Sequence, residues 1–389
     1  MPKLPTPFPV YNGGVKLYFG LDTIRRLAYY LRRHKKVLIV TGKKSAKLSG
    51  ALDDAIRVLE EYNVEYTVFS GVTPNPTVEN VNAIIKAYKE SGAEAFLAIG
   101  GGSVIDATKA ARVVVACDGD LVEYLYGRKR CAPNEPPLYV VNLTHGTGSE
   151  IDRWAVVTVP ETKEKLGIES GYPNAAVDDP KYITTLPKNQ TIYVTLDAFA
   201  HAVESATSSL RSPYTKLLAR EAIKYITEYL PICVRNLDNI EARYWLLYAS
   251  MIAGIGIDHG ATHLGHALEH ILSGIRPELP HGAGLGILYK KLLWCFYRID
   301  PETTAYILRP LEPSLKPVPE DAEKALNTYN KFLDEIGFKE TLSTYGFGKD
   351  DIKTILEMAY ENPMFKNWIS EAPVKFSREE LAKIIEELL

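Results

Sequence analysis

Histidines cluster in one part of this chain of 389 residues, and their spacing points to metal chemistry. Asp197 and His201 are four residues apart, so on a helix both side chains project from one face about one turn apart. Four further histidines have helical spacing and predict a stripe of imidazoles on one side of a helix: His259, His263, His266 and His270. His281 then follows in a Pro-His-Gly turn.

Several imidazoles and a carboxylate in this arrangement favour a bound cation. Burying imidazoles together is costly unless something uses their nitrogen lone pairs, and a divalent cation does so. A mixed set of nitrogen and oxygen ligands suits Fe(II) or Zn(II), whereas Ca(II) and Mg(II) prefer oxygen alone. A single histidine is more often a hydrogen-bonded core or surface residue, but the grouping favours a metal site.

A glycine-rich turn lies in the first half of the chain. FLAIGGGSVIDATK (96–109) has the pattern of a buried strand, three glycines, Ser103 and then a helix. Glycines there let the backbone approach a diphosphate, and the first amides of the helix point at its charge. Ile105 stands where the usual dinucleotide fingerprint has its third glycine. The turn indicates an anion site, with a strand-to-helix turn that binds nothing as the alternative.

Two more loops are expected beside this turn. THGTGSE (144–150) and Pro74-Asn75-Pro76-Thr77 each follow a predicted strand. Ligands of open α/β sheets bind at the carboxyl ends of the strands, where all three loops should meet.

The elements that carry these loops alternate in type. Strands are predicted for KKVLIVTG (35–42), EYTVFSG (65–71), EAFLAIGGG (94–102) and LYVVNLT (138–144). Segments with helical spacing of apolar residues lie between them, at 51–62 and 78–91. This alternation predicts a parallel sheet covered by helices.

The second half is predicted to be mostly helical. We place the boundary in DDPKYITTLPKNQ, which gives an α/β dinucleotide-binding domain at 1–183 and a helical metal-binding domain at 184–389. Ser377, with Glu380 three residues on, predicts the N-cap of a last helix.

Composition excludes several classes of protein. With 46% apolar and 24% charged residues the chain is of ordinary globular type. A net charge of −3 gives no footprint for nucleic acid or an anionic membrane. No long apolar run and no secretory signal pattern occur, which predicts a cytoplasmic protein without membrane attachment. The four widely spaced cysteines are expected to be reduced, buried thiols: Cys117, Cys131, Cys233 and Cys295.

Taken in order, GGGSVIDATKA, THGTGSE, D-x-x-x-H, the histidine stripe and P-H-G resemble the iron-containing (group III) alcohol dehydrogenase family. The resemblance extends from Gly13-Gly14 through at least His281. It implies a Rossmann-like α/β N-terminal domain that binds a dinucleotide and an all-α C-terminal domain that binds metal, as in dehydroquinate synthase-like folds. It also implies a homodimer.

The resemblance implies four metal ligands and one catalytic histidine. In that family an Asp, a His four residues later and two more histidines hold the metal, and the matching positions are Asp197, His201, His266 and His281. GHALEHILSG matches the family's H-x-x-x-H segment, which favours His266 over His263. The spacing to His281, one residue longer than is usual, does not decide between them. His270 then lies near the nicotinamide and is the candidate relay of the alcohol proton.

The resemblance also assigns the dinucleotide-binding residues. They are Gly101, Gly102, Ser103 and Asp106 at the diphosphate, Asn75 on the adenosine side, and Thr144, Thr147, Ser149 and Lys165 on the nicotinamide side. Relatives that use NAD tend to carry an acid after the first sheet strand. This chain has Thr41-Gly42-Lys43-Lys44-Ser45 there, so Gly42, Lys43 and Ser45 offer amides and a cation to a 2′-phosphate. The pattern favours NADP(H), with solvated lysines that bind nothing as the alternative.

Two residues depart from the family's pattern. His145 stands in a loop that is Thr-Thr-Ala-Gly-Thr in many relatives, and it is expected either to line the substrate site or to be exposed. Arg153 beside the nicotinamide would favour a carboxylate or hydroxyl-rich substrate, but a structural salt bridge is the favoured role.

The hypothesis is a metal-dependent alcohol dehydrogenase or aldehyde reductase that transfers a hydride between NADP(H) and a small alcohol or aldehyde. One alternative is a related sugar-phosphate or glycerol-phosphate metalloenzyme. Such sites need several basic residues to hold phosphate, and only Arg276 and Arg153 occur near the ligand motifs. The other alternative is a metal or nucleotide binder without catalysis.

Overall fold

The computed structural model describes residues 8–130, 135–373 and 375–389, with the backbone alone for 8–11. The chain forms two compact units. The first comprises the residues up to 186 together with 237–247, and the second comprises 187–236 and 248–389. The domain boundary between residues 183 and 184 stays a prediction.

The first unit contains the strands and the shorter helices. The strands are β1 (Phe8–Asn12), β2 (Val15–Phe19), β3 (Lys36–Gly42), β4 (Glu65–Val72), β5 (Ala95–Gly100), β6 (Leu138–Asn142), β7 (Trp154–Val159), β8 (Glu164–Glu169) and β9 (Ala175–Asp178). The helices are α1 (Ala28–Leu31), α2 (Ser45–Leu48), α3 (Ala51–Glu61), α4 (Val78–Ser91), α5 (Gly102–Cys117) and α6 (Leu121–Leu125). Short 3-10 helices lie at Thr23–Leu27 and Pro180–Ile183.

Among the described residues, seven strands form one sheet in the order β1-β2-β9-β6-β5-β3-β4. All neighbouring pairs are parallel except β1 and β2. The four predicted strands are confirmed as β3 to β6. Strands β5 and β6 are buried along their whole length, which explains their unbroken apolar runs.

The register brings the predicted ligand loops to one edge of this sheet. Gly100, the last residue of β5, lies opposite Asn142, the last residue of β6. The glycine turn and THGTGSE follow these two residues, so both loops leave the same edge, as predicted.

A separate antiparallel pair, β7 and β8, was not predicted. Its strands run from Trp154↔Glu169 to Val159↔Glu164. Hydrogen bonds fix the pair to α5, because the Asp106 carboxylate accepts the Val156 N–H at 3.1 Å and the Lys109 ammonium donates to the Trp154 carbonyl at 2.9 Å.

The second unit is helical, so the predicted fold class is confirmed for both halves. Its helices are α7 (Lys188–Thr207), α8 (Pro213–Arg235), α9 (Ile240–Gly260), α10 (Leu264–Ile275), α11 (His281–Ile299), α12 (Pro301–Leu308), α13 (Ala322–Ile336), α14 (Lys349–Glu361), α15 (Pro363–Ile369) and α16 (Arg378–Glu386), of which α9 begins in the first unit. Short 3-10 helices lie at Pro319–Asp321 and Leu342–Tyr345. Ser377 caps α16 in a capping box with Glu380, as predicted.

The cysteine prediction is only partly right. Cys233 and Cys295 are buried, reduced thiols, as predicted. Cys117 is disulfide-bonded, so the expectation of a reduced thiol is wrong there. Cys131 lies outside the described residues.

In the part of the chain that the structure describes, no helix is both long enough and apolar enough to cross a membrane.

Candidate metal centre and dinucleotide loops

Helix α7 supplies the first two candidate ligands. Its segment DAFAHAVESAT is rich in alanine, which favours a helix and lets neighbouring elements approach closely. Asp197 and His201 are buried, and His201 Nε2 lies 3.5 Å from Asp197 Oδ1. The predicted pairing of these residues on one helix face is therefore present.

Helices α10 and α11 bring two more imidazoles to the same carboxylate oxygen. His266 Nε2 and His281 Nε2 each lie 3.5 Å from Asp197 Oδ1. The ligand atoms of Asp197, His201 and His266 all lie within 4.8 Å of one another. The structure thus gathers the four predicted ligands around one point in the second unit.

The geometry and the polar groups of this cluster fit a metal ion. Tetrahedral bonds of about 2.1 Å place neighbouring ligand atoms about 3.4 Å apart, close to the spacing found here. Asp197 Oδ1 and His266 Nε2 are buried without a hydrogen-bond partner among the described residues. Buried polar atoms normally have partners, and a cation would satisfy both.

The charges in the cluster are strongly coupled. Burial by itself would raise the pKa of Asp197, but His201, His281 and His266 hold this pKa well below its usual value. Burial would likewise lower the pKa of His266, yet Glu204 and Asp197 raise it to about 9. Without a metal, the two carboxylates therefore favour a protonated, positively charged His266. A divalent cation would take the place of that proton.

The predicted histidine stripe is wrong in its first half, because the helix breaks between α9 and α10. Gly260 packs so closely on Ser205 that a Cβ there would lie 2.3 Å from the Ser205 carbonyl oxygen, and Ala261 has φ 60°. His259 consequently lies exposed on α9, where Nδ1 contacts the Ile255 carbonyl oxygen at 2.8 Å.

His263 lies apart from the four candidate ligands. It is the N-cap of α10, and its Nε2 contacts Thr207 Oγ1 at 2.9 Å. Burial lowers its pKa to about 4. The geometry thus favours His266 over His263 at the metal.

His270, one turn after His266 on α10, is buried beside the cluster. Its ring centroid lies 5.4 Å from that of His281, and Trp368 packs against it edge to face at 4.6 Å. The structure therefore brings the predicted proton relay next to a candidate ligand.

Two buried acids at this centre were missed by the sequence analysis. Glu204 and Glu269 are fully buried, and their carboxylates contact the Nδ1 atoms of His266 and His281. Glu204 lies seven residues after Asp197 on α7, so D-x-x-x-H-x-x-E was the available signal. For Glu269 the signal was an acid inside the histidine segment.

The two candidate dinucleotide loops of the first unit pack closely against each other at two glycines. A Cβ on Gly101 would lie 2.5 Å from Thr144 Cγ2, and one on Gly102 would lie 2.4 Å from Thr147 Cγ2. Gly101 is the N-cap of α5 and has no side chain to accept from the first amides of the helix. These amides, with half-buried Ser103, can bind a phosphate.

Asp106 and Ser149 form part of a buried polar cluster. The Ser149 hydroxyl donates to Asp106 Oδ1 at 2.5 Å, and the fully buried Lys109 ammonium donates to Ser149 at 3.1 Å and to Asp152 Oδ1 at 2.8 Å. Burial raises the pKa of Asp106 to about 7, while the Lys109 charge opposes this rise. These contacts hold α5, the THGTGSE loop and β7 together.

The remaining predicted dinucleotide residues lie on other loops and strands of the first unit. Asn75 has φ 50° in the loop before α4, and Lys165 is buried on β8 opposite Thr158. Gly42 ends β3, and the residues that follow it, Lys43 and Ser45 among them, are exposed.

The structure shows the surroundings of His145 and Arg153, the two residues that depart from the family's pattern. His145 is fully buried, so the alternative of an exposed His145 is wrong. Arg153 Nε lies 2.8 Å from Glu169 Oε1, and Arg153 also donates to the Tyr172 hydroxyl at 3.0 Å, which agrees with the favoured salt bridge. Arg276 pairs with Asp351 at 3.2 Å.

Comparison with known proteins covers both halves of the chain. Residues 14–180 match the family model "Iron-containing alcohol dehydrogenase", and residues 191–389 match "Fe-containing alcohol dehydrogenase family, C-terminal". The long-chain primary alcohol dehydrogenase AdhA of Thermoanaerobacter ethanolicus is 41% identical, over 95% of this chain and 94% of its own length. NADH-dependent butanol dehydrogenase A of Clostridium acetobutylicum is 32% identical, over 90% of this chain and 92% of its own.

The fold agrees with these matches. The crystal structure of alcohol dehydrogenase ADH/D1 from an archaeal halo-thermophilic source, a Red Sea brine pool, superposes with a TM-score of 0.89 at 27% identity and covers 100% of both chains. Alcohol dehydrogenase activity is therefore the function that these similarities support. The chain belongs to the iron-containing alcohol dehydrogenase family.

Proposed function

We propose that this protein is a metal-dependent alcohol dehydrogenase and aldehyde reductase that transfers a hydride between NADP(H) and a small alcohol or aldehyde. The observation that carries the proposal is the approach of three imidazole Nε2 atoms to one buried carboxylate oxygen, each at 3.5 Å. Fe(II) and Zn(II) both accept such ligands. The homodimer and the cytoplasmic location stay predictions.

Different residues would bind the metal and the dinucleotide. Asp197, His201, His266 and His281 would hold the cation, and the amides at the start of α5 would hold the dinucleotide diphosphate. A divalent cation supplies Lewis acidity toward an alcohol or carbonyl oxygen, and a nicotinamide supplies hydride transfer. Burial of Asp197, His201 and His266 limits the access of water that would compete with the substrate oxygen.

The direct test is an assay of the protein loaded with Fe(II) or Zn(II). With NADPH and a panel of aldehydes we expect cofactor oxidation that requires the metal, and we expect no turnover after chelation. Failure to turn over any aldehyde or alcohol with either metal, although metal and cofactor bind, would favour a binding protein. Turnover of sugar phosphates alone would favour the related metalloenzymes, but Arg153 and Arg276 are already paired with carboxylates.

The preference for NADP(H) rests on the end of β3. Gly42 leaves this position without a carboxylate, and exposed Lys43 and Lys44 follow it. A 2′-phosphate would meet positive charge here, whereas an acid would repel it. NADH dependence is part of the name of the Clostridium relative, and we propose that this chain differs from it in cofactor.

Gly42→Asp should move the preference from NADP(H) toward NAD(H). A Cβ at Gly42 would have the Val72 carbonyl oxygen at 3.5 Å as its nearest neighbour, so the new side chain has room. Repulsion of the 2′-phosphate should lower kcat/KM for NADPH relative to NADH by roughly 10- to 100-fold. Steady-state kinetics with both cofactors measures the ratio.

Tyr62→Asp is the matched control for the added charge. Tyr62 is an exposed residue after α3 and before β4, hence at the opposite edge of the sheet from Gly42. Tyr62→Asp should leave the ratio of kcat/KM for NADPH and NADH unchanged. If Gly42→Asp also leaves this ratio unchanged, the assignment of the 2′-phosphate site to the end of β3 is contradicted.

His270→Ala should slow turnover much more than it weakens metal binding. A positioned general acid or base contributes about 10²- to 10⁴-fold to the rate. His270 is buried on α10, and its ring centroid lies 5.4 Å from that of His281. Its removal should also alter the pH profile of kcat. Metal content per chain and kcat across pH measure the two effects, and parental turnover in the variant would refute the relay.

A further inference from the structure

Glu204 makes a dense set of contacts behind one candidate ligand. Its Oε2 lies 3.2 Å from His266 Nδ1, and its Oε1 accepts the backbone N–H of His266 at 3.1 Å and the Tyr289 hydroxyl at 3.1 Å. The backbone N–H of His263 also donates to this carboxylate. Glu204 therefore ties α7 to the start of α10 and to the ring of His266.

Glu269 has the corresponding place behind another ligand. It is fully buried on α10, and its Oε2 contacts Nδ1 of His281 at the start of α11. Both rings thus have one nitrogen beside a buried carboxylate and the other, Nε2, 3.5 Å from Asp197 Oδ1.

We propose that Glu204 and Glu269 are positioning residues for the metal centre, an inference that rests on the proposed metal-binding function. Glu269 is hydrogen-bonded to His281 Nδ1, and Glu204 Oε2 lies 3.2 Å from His266 Nδ1. A carboxylate at Nδ1 favours the tautomer that carries its proton there, whose Nε2 lone pair is free to bind the cation. Each would also restrict the rotation of its ring, because the carboxylate lies at Nδ1 and the cation would bind Nε2. Neither residue contacts substrate in this account.

The negative charges of Glu204 and Glu269 should also strengthen metal binding, in addition to orienting the imidazole rings. Two buried carboxylates one imidazole away from a dication attract it through an interior of low dielectric constant. With Asp197 they bring three negative charges to a centre whose other ligands are neutral imidazoles. Loss of either charge should weaken the hold on the cation even where the ring orientation survives.

Glu269→Gln is the primary test, because the Glu204 carboxylate also holds the backbone at the start of α10. Gln keeps the shape and can still accept a hydrogen bond, but it removes the charge. Glu269→Gln, Glu204→Gln and the wild type are each stripped of metal and titrated with Co(II). Their Zn(II) affinity is measured by competition with a chelator. Co(II) absorption reports ligand geometry without any assay of activity.

Glu340→Gln is the matched control for loss of an acid that contacts α7. Glu340 accepts a hydrogen bond from the Tyr193 hydroxyl at 2.6 Å, and within the described part of the chain it forms no hydrogen bond or ion pair with the four candidate ligands. It should bind Co(II) and Zn(II) as the wild type does. Thermal unfolding of each metal-free variant shows whether the fold itself is retained.

We expect Glu269→Gln and Glu204→Gln to bind both metals about 10- to 100-fold more weakly, with altered Co(II) spectra. Wild-type affinity and spectrum in a folded Glu269→Gln would overturn the positioning role while the proposed function stands. If the wild type itself binds neither metal, the proposed function and this inference both fail. Unfolding of Glu204→Gln alone would leave Glu269→Gln to decide.

Discussion

Asp197→Asn should abolish retention of a divalent metal and lower alcohol dehydrogenase activity by about 10³-fold or more. Asp197 Oδ1 is the shared neighbour of three imidazole nitrogens, and it carries the negative charge among the four candidate ligands. A metal contributes several kcal/mol of charge stabilisation in such reactions, and about 4 kcal/mol corresponds to 10³-fold. Metal content after dialysis and kcat/KM for an alcohol and an aldehyde measure both effects.

Thermal unfolding gives an independent measure of the same loss. A ligand that binds the folded state alone raises the unfolding temperature according to its concentration relative to Kd. Added Zn(II) should therefore stabilise the wild type and leave Asp197→Asn unchanged. Equal stabilisation of both proteins would show that the ion binds elsewhere.

Paired substitutions of two neighbouring histidines serve as the matched control. His266→Gln should lose metal like Asp197→Asn, whereas His263→Gln should retain it, because His263 contacts Thr207 and not Asp197. In His263→Gln the new amide can keep the hydrogen bond to Thr207 Oγ1, so this variant changes the core little. Metal loss from His263→Gln with retention in His266→Gln would reverse the assignment of the third ligand.

The central parallel strands β3 and β5 were predictable because burial on both faces leaves a simple pattern in the sequence. Val37 to Val40 in β3 and Ala95 to Ile99 in β5 are all buried, so apolar residues run without alternation. Strand β9 has four residues, and β8 carries Glu164, Lys165 and Glu169. Such short or charged segments form strands because they pair and pack with neighbouring strands, and the local sequence does not reveal those contacts.

The histidine segment shows where periodicity fails. The spacing of His259, His263 and His266 fits one helix, but tertiary contacts end α9 at Gly260 and start a new helix at Leu264. Glu204 accepts backbone N–H groups of His263 and His266 from a distant part of the chain. A helix start that is capped from 59 residues away has no local signal.

The same reason explains why the family pattern predicted the four candidate ligands but not the acids that contact them. Asp197 and His201 lie on one helix, so their spacing shows that they can meet. Contact between Glu269 and His281 depends on how α10 packs against α11, and the chain turns between these helices at 276–280. Packing of this kind follows from many residues together.

Gly282→Ala should destabilise the helical unit and weaken metal binding together. A Cβ at this position would lie 1.8 Å from the Tyr193 carbonyl oxygen, a backbone atom of α7 that has no rotamer by which to move away. Helix α11 must then shift away from α7, and His281, the residue before Gly282, would move with it. Overpacking costs about 1–3 kcal/mol or more, and a displacement of about 1 Å at a reacting centre can cost about 10²-fold in rate.

Gly286→Ala on the same helix is the control that isolates this backbone clash. Its Cβ would meet side chains, Leu196 Cδ1 at 2.7 Å and the Phe338 ring at 2.9 Å, which can rotate aside. Both substitutions gain the same helix propensity, about 1 kcal/mol for Ala over Gly. The difference between them in unfolding temperature and in Zn(II) affinity therefore measures the contact with Tyr193. Similar Zn(II) affinity in the two variants would mean that the Pro-His-Gly motif does not need its glycine to place His281.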